Sequence, residues 1–278
     1  MKINTIEIGA FRMDGGGMFG VVPKVLWSRA YDQGDEKNRI PLQARLLYIE
    51  HQDRKILVDV GPGNKYNSKL RDIYDINLDR SNPDNYLTDL NLKRTDITDV
   101  ILTHLHFDHS GGATIIENGE VVPTFPNAKY YVQKDHYNYA IKPSLKDGAS
   151  FFNENYVPLY ENGMLELIEG DGELFPGISL ITLDGHTKQM QLVKLQDNGQ
   201  TYLYMADLIP TSAHIPLPYI MGFDNYPMTT LEEKQKWLPI IAENNWIAIF
   251  EHDNNNSAGK IIYNHEKHTY QLGEKHSF

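Results

Sequence analysis

Histidine and aspartate crowd one short stretch of this sequence, Thr103-His104-Leu105-His106-Phe107-Asp108-His109-Ser110-Gly111-Gly112. Four potential metal ligands fall there in the order H-x-H-x-D-H, directly after the apolar run Val100-Ile101-Leu102-Thr103. Side chains of an extended segment alternate in direction, so His104 and His106 can grip one ion from the same side. The glycine pair then turns the chain and lets Asp108 and His109 swing toward a neighbouring position. Three further segments repeat the arrangement of an apolar strand with a ligand at its end. Ile178 to Leu183 leads to Asp184-Gly185-His186-Thr187, Tyr202 to Ala206 leads to Asp207, and Trp246 to Phe250 leads to Glu251-His252-Asp253. Any one alone is a weak signal, because an aspartate after a strand is usually a turn former or a helix cap. Together these strand ends offer five histidines and two aspartates, a donor set for two metal ions. Imidazole and carboxylate without thiolate suit Zn²⁺ in an open, catalytic geometry, and Fe²⁺ or Mn²⁺ would also bind such a set.

The elements that must position these residues alternate between strands, helices and polar turns. The N-terminus, Met1 to Ile8, alternates apolar and polar residues and reads as a strand. Arg45 to Glu50 and Lys55 to Val60 flank a turn at residues 51–54 and read as a hairpin. It runs into a sharp turn at Asp59-Val60-Gly61-Pro62-Gly63. Strands are also expected at Asp99 to Thr103, Ala128 to Val132, Gly177 to Leu183, Met190 to Leu195, Thr201 to Ala206 and Trp246 to Phe250. A helix is expected at Ser68 to Tyr74. A second should open on the box-like Thr229-Thr230-Leu231-Glu232-Glu233 and reach about Glu243, with Pro239 kinking it. No linker-like boundary interrupts the chain, which reads as one α/β domain over residues 1–278.

Composition narrows the functional classes. The 278 residues include no cysteine, which removes a disulfide scaffold, a thiolate zinc finger, an iron–sulfur site and a cysteine nucleophile. The net charge is −11, from 26 basic and 37 acidic side chains, and this disfavours nucleic acid as a partner. No run approaches the roughly 18 apolar residues of a membrane span, and the N-terminus has no signal-peptide core. The protein is therefore expected to be cytoplasmic, without a membrane partner. Gly15-Gly16-Gly17-Met18-Phe19-Gly20 satisfies G-x-G-x-x-G, but Pro23 follows within three residues and no strand-end acid lies about 20 residues on, as a dinucleotide site needs. The stretch reads instead as a flexible or substrate-lining loop, with Met18, Phe19 and Trp27 either walling a pocket or packed in the core. His214 is a candidate pocket residue. His265, His268 and His276 read as part of a solvated tail.

The order H-x-H-x-D-H, Gly-His-Thr, Ala-Asp and a strand-terminal His resembles the metallo-β-lactamase fold superfamily, over roughly Ile40 to Asp253. Within that superfamily, His104 to His109 followed by Gly111-Gly112 is similar to the N-acyl-homoserine lactonases. Residues 16–24, Gly-Gly-Met-Phe-Gly-Val-Val-Pro-Lys, are similar to the methyl-parathion-hydrolase-like branch. The resemblance implies a four-layer αβ/βα sandwich. It also implies that His104, His106 and His186 hold one Zn²⁺, that Asp108, His109 and His252 hold a second, and that Asp207 bridges them. Asp59 matches a strand-end aspartate that supports the metal loop through hydrogen bonds. Two positions depart from the lactonase pattern: Lys188-Gln189-Met190 follows Thr187, and Pro210 stands where many lactonases carry a tyrosine.

A pair of divalent ions lowers the pKa of bound water toward neutrality and so generates a nucleophile without serine or cysteine. Asp108, beside that nucleophile, would relay its proton to the leaving group as the catalytic acid–base. The expected reaction is opening of a small lactone or ester. A phosphotriesterase or aryl esterase of the methyl-parathion-hydrolase type is the enzymatic alternative, and a non-catalytic metal-binding member of the fold the other. The partner in each enzymatic case is a small ester, lactone or phosphotriester. Exposed aromatic loops are compatible with a homodimer.

Overall fold

Short runs of Ile, Leu and Val dominate both halves of the chain, and each becomes a strand. A computed structural model describes residues 1–278, apart from the side chain of Ala10. The chain divides into two compact units, Met1–Phe11 with Ala44–Gly170, and Arg12–Gln43 with Asp171–Phe278.

The first unit is built on a six-stranded sheet in the order β1-β2-β3-β4-β7-β8. Its strands are β1 (Lys2–Asp14), β2 (Arg39–His51), β3 (Arg54–Val58), β4 (Asp99–Ile101), β7 (Lys129–Gln133) and β8 (Leu165–Ile168). The far ends of β1 and β2 belong to the second unit. β5 (Thr114–Glu117) and β6 (Glu120–Pro123) pair with each other as a separate hairpin. The expected hairpin at residues 45–60 is β2–β3, in register from Leu47 opposite Val58 to His51 opposite Arg54. β3, β4, β7 and β8 then pair in parallel. A parallel sheet covered on both faces needs continuous apolar strands. Ile56-Leu57-Val58 and Val100-Ile101 meet this need and are fully buried.

The second unit carries a seven-stranded sheet. Its strands are β9 (Gly172–Phe175), β10 (Ile178–Leu183), β11 (Met190–Asp197), β12 (Gln200–Tyr204), β13 (Ile247–Ile249), β14 (Ala258–Asn264) and β15 (Thr269–His276). They lie in the order β15-β14-β13-β12-β11-β10-β9. Every pair is antiparallel except β12–β13, where Tyr202 to Tyr204 run parallel to Ile247 to Ile249. The helix Pro227–Glu243 supplies the crossover between those two strands.

Three expectations are corrected here. The long helix begins at Pro227 and not at Thr229, with proline in its first turn, where the missing N–H costs nothing. Thr229 to Glu233 is therefore helix interior and no capping box, and the helix continues through Pro239 as one element. The C-terminal segment is a hairpin, β14–β15, and no tail. Its turn is tied by Asn264 Oδ1, which accepts from the backbone N–H groups of Glu266 and Lys267 at 3.0 Å each. The glycine-rich stretch is a short helix, Gly15–Phe19, whose Met18 and Phe19 are buried, as is Trp27, so these residues are core. No helix among the described residues is long and apolar enough to cross a membrane.

His214 is core as well, at 1% exposure. Its ring stacks on Phe19 at 4.4 Å, Nε2 donates to Met18 O at 2.9 Å, and Nδ1 accepts from the Thr211 hydroxyl at 2.7 Å. The neutral ring satisfies both nitrogens, and burial pulls its pKa down to about 4.

Two measurements check this description. At Gly111 an added Cβ would lie 1.9 Å from Pro62 O, and neither side of that contact is a flexible side chain. Gly111→Ala is expected to lower unfolding stability by more than about 3 kcal/mol in urea titrations; a loss below about 1 kcal/mol would contradict the packing. For His214 the folded pKa lies below the unfolded value of 6.5. Its neutral-form stabilisation is thus complete above pH 6.5 and drains away as the pH falls to about 4, by on the order of 3 kcal/mol. The stability of the wild type relative to His214→Gln should shrink across that window, and a pH-independent difference would rule the account out.

Candidate metal centre

In the first unit the ligand-rich loop leaves β4 at Leu102 and is buried throughout, His104 and His109 completely. Asp59, just after β3, is held with φ 54°, the left-handed region that aspartate tolerates better than most residues. From there Oδ1 accepts the Thr103 backbone N–H at 2.7 Å, and Oδ2 accepts the Thr103 hydroxyl at 2.6 Å. His109 Nδ1 donates to the same Oδ2 at 3.1 Å. One carboxylate therefore fixes both the start of the loop and the ring orientation of His109, the loop support that the family resemblance implied for Asp59.

His104 Nδ1 is 3.1 Å from the Thr103 hydroxyl oxygen. That hydroxyl spends its proton on Asp59, so His104 Nδ1 is the donor and Nε2 keeps its lone pair. His104 Nε2 and His106 Nδ1 converge at 3.1 Å. Asp108 and His109 sit on the single turn of helix Phe107–Ser110, with His109 Nε2 3.9 Å from Asp108 Oδ2. Behind the loop, the fully buried His136 accepts the backbone N–H of Leu105, the residue between His104 and His106, at 2.8 Å. Lys65 Nζ donates to the carbonyls of Gly111 and Thr114, and burial lowers its pKa to about 8. Tyr66 and Tyr74 stand close enough to Asp108 for its charge to add to burial in raising both phenols. With Phe107 and Phe152 they form an aromatic cluster, Tyr74 lying 4.6 Å and Phe152 5.7 Å from the Phe107 ring. Beside it opens a cavity of about 470 Å³ lined by Lys65, Tyr66, Leu70, Phe152 and Asn155 among others.

In the second unit β10, β12 and β13 end at Leu183, Tyr204 and Ile249, each three residues before His186, Asp207 and His252. Asp207 meets both imidazoles: Oδ2 lies 3.1 Å from His186 Nε2, and Oδ1 lies 3.2 Å from His252 Nε2. Ala206, immediately before it, adopts φ 41°, a strained conformation for a residue with a Cβ. The outer ring nitrogens are engaged elsewhere. His186 Nδ1 donates to Asp224 Oδ1 at 2.9 Å, and His252 Nδ1 donates to the Gln43 carbonyl at 2.9 Å. Asp224 is buried, and Glu233 accepts the backbone N–H groups of Asp184 and Gly185 that lead into His186.

With Nδ1 carrying the proton, the inner nitrogens of His186 and His252 each aim a lone pair at a carboxylate oxygen. Acceptor facing acceptor at about 3 Å is repulsive unless a metal ion lies between them or the ring takes up a second proton. His104 and His106 in the first unit, and His186 with Asp207 in the second, present ligand atoms suited to a metal ion. Carboxylates and carbonyls behind the histidines are the usual support of such ligands. Four residues around these histidines were not singled out for the site from the sequence: His136, although it follows the end of β7 by three residues, Asp224 and Glu233, which follow no strand, and Gln43, whose carbonyl is the group engaged.

A sequence profile of the Metallo-beta-lactamase superfamily matches residues 39–252. A solved structure, a probable metal-dependent hydrolase from Staphylococcus aureus, aligns with a TM-score of 0.87 at 30% identity, over 99% of this chain and 98% of that one. A dizinc quorum-quenching lactonase solved with the product N-hexanoyl-L-homoserine aligns with a TM-score of 0.79 over 100% of this chain and 97% of that one. Its 17% identity makes this a likeness of fold alone. An N-acyl homoserine lactonase from a Bacillus species is 28% identical over 182 residues, 64% of this chain, and the chain spans 65% of that relative's length. The strand order, the ligand-bearing strand ends and these matches agree: the chain has the metallo-beta-lactamase fold and belongs to the metallo-beta-lactamase superfamily.

Proposed function

We propose that the protein is a metal-dependent hydrolase that binds two Zn²⁺ ions and opens a small lactone or ester. The observation that carries this reading is Asp207, whose two oxygens each face the lone pair of a different, outwardly tethered imidazole. That is the donor arrangement of a carboxylate shared by two cations. In this reading His104, His106 and His186 hold one ion, Asp108, His109 and His252 the other, and Asp207 both. Fe²⁺ or Mn²⁺ are also compatible with this nitrogen and oxygen set. The profile match runs through all seven residues, which supports both units acting as one hydrolase domain.

Bound there, the ions would supply a hydroxide near neutral pH and polarise the scissile carbonyl. The rest of the work falls to the chain. Asp59 keeps His109 Nδ1 protonated and outward, and Asp224 does the same for His186, so that neither ring turns away during turnover. Asp108, 9% exposed beside Tyr66 and Tyr74, holds the nucleophile's proton and passes it to the leaving oxygen. The aromatic cluster around Phe107 would exclude water from the substrate's apolar part. The same cluster favours one alternative, an aryl ester or phosphotriester substrate of the methyl-parathion-hydrolase type.

Purified protein should carry about two metal equivalents, and fewer than about one would count against the two-ion reading. His106→Ala and Asp108→Ala are each expected to lower turnover by about 100-fold or more, while His268→Ala, in the β14–β15 turn, leaves it unchanged. A panel of acyl-homoserine lactones, simple lactones, aryl esters and phosphotriesters assigns the substrate. Hydrolysis of none of them, or near-normal rates in both site variants, would sink the proposal.

A further inference from the structure

Neighbouring residues of helix Pro227–Glu243 carry opposite charges inward, and each is spent on backbone. Lys234 is fully buried. Its Nζ donates to the carbonyls of His214, Pro216 and Tyr219 at 2.7, 2.8 and 2.9 Å, with that of Leu217 at 3.4 Å. No carboxylate is within hydrogen-bond reach in this set. The ammonium instead gathers residues 214–219 into a tight bend. Glu233 turns to the other side, accepting from Asp184 N at 2.7 Å and from Gly185 N at 3.3 Å. Burial drives both groups toward neutrality, Glu233 up to about 7 and Lys234 down to about 7. Side chains held against such a penalty need a reason beyond filling space.

The two gathered segments meet at His186. The turn held by Glu233 delivers the residue itself. Gly185 lies so close to the helix that an added Cβ would fall 2.4 Å from Thr230 Oγ1 and 2.6 Å from Glu233 Oε2. The bend held by Lys234 continues through residues 220–223 to Asp224, which takes the ring's Nδ1 proton. Backbone bonds close the arrangement: Asn225 N donates to His186 O and Tyr226 N to Gly185 O, each at 2.9 Å.

We propose that Glu233 and Lys234 are positioning residues for His186, one fixing its backbone and the other fixing the loop that carries its carboxylate partner Asp224. This rests on the reading of His186 as a metal ligand. Neither residue touches the metal or the substrate. Their task is to leave the imidazole one orientation, so that the ion meets a ring already aimed. Removing such support behind a ligand typically costs 10- to 100-fold in metal affinity or activity.

The test compares wild type, Glu233→Ala, Glu233→Gln and Lys234→Met, each purified with its metal. Backbone amide exchange reports the local structure, and the half-time of metal release to a chelator reports the ligand. Glu233→Ala should speed exchange at Asp184 and Gly185 and shorten the release half-time by about 10- to 100-fold, with exchange in β11 and β12 unchanged. Glu233→Gln keeps one acceptor oxygen and should recover most of the loss. Lys234→Met should speed exchange over residues 214–224 and shorten the half-time likewise. If Lys234→Met does not fold, the Glu233 pair decides alone. Unchanged exchange at residues 184–185 in Glu233→Ala, or faster exchange with wild-type metal release, overturns the proposal while leaving the metal centre standing. A wild type that retains no metal overturns the metal centre and this proposal together.

Discussion

An imidazole ring has two nitrogens and, when neutral, one proton. Whichever nitrogen donates to the protein, the other is left to face inward with its lone pair. Much of the architecture around the candidate centre follows from that constraint. Asp59, Asp224 and the Gln43 carbonyl each accept the Nδ1 proton of a histidine, and Thr103 accepts that of His104. The inner nitrogens are thereby fixed without any ion having to do the fixing. Asp207 then stands between two of them, one oxygen to each.

Strand ends are the natural place to meet this demand. A strand buried on both faces has little freedom at its last residue, and the chain must leave the sheet there in a defined direction. β4 hands over to the 102–112 loop, while β10, β12 and β13 hand over to His186, Asp207 and His252. The loop is further fixed by close backbone approach. Val60 N donates to His109 O and Gly112 N to Gly61 O, each at 2.9 Å, a proximity that residues 111 and 112 permit only as glycine. Rigid delivery of this kind is what a site needs if its ligands are to be arranged before a substrate arrives.

The candidate ligands were legible as a group because they obey a local rule, an apolar run followed by a donor, that four segments repeat. Asp59 was legible for a similar reason. The supporting groups were not. Asp224 follows Gly222-Phe223 in irregular chain, and its part in the site arises only from where residues 214–219 are gathered. Glu233 read as a capping-box acid because local pattern cannot distinguish a carboxylate that serves its own helix from one that serves a distant turn. His214 offered a histidine near a ligand and nothing to say that it would stack on Phe19 in the core. The C-terminal hairpin was hidden by polar composition, since β15 sits at the edge of its sheet and needs few apolar residues.

The one parallel pairing in the second sheet also governs when the contact between Asp207 and His252 can form during folding. Tyr202 to Tyr204 align with Ile247 to Ile249 only after the whole helix Pro227–Glu243 has been made and has crossed back. Until then Asp207 follows a strand, β12, whose outer partner is missing. Such non-local pairings form late, because the intervening chain must lose entropy before any contact compensates. The Asp207–His252 contact of the second unit therefore forms later than the local turns of that unit.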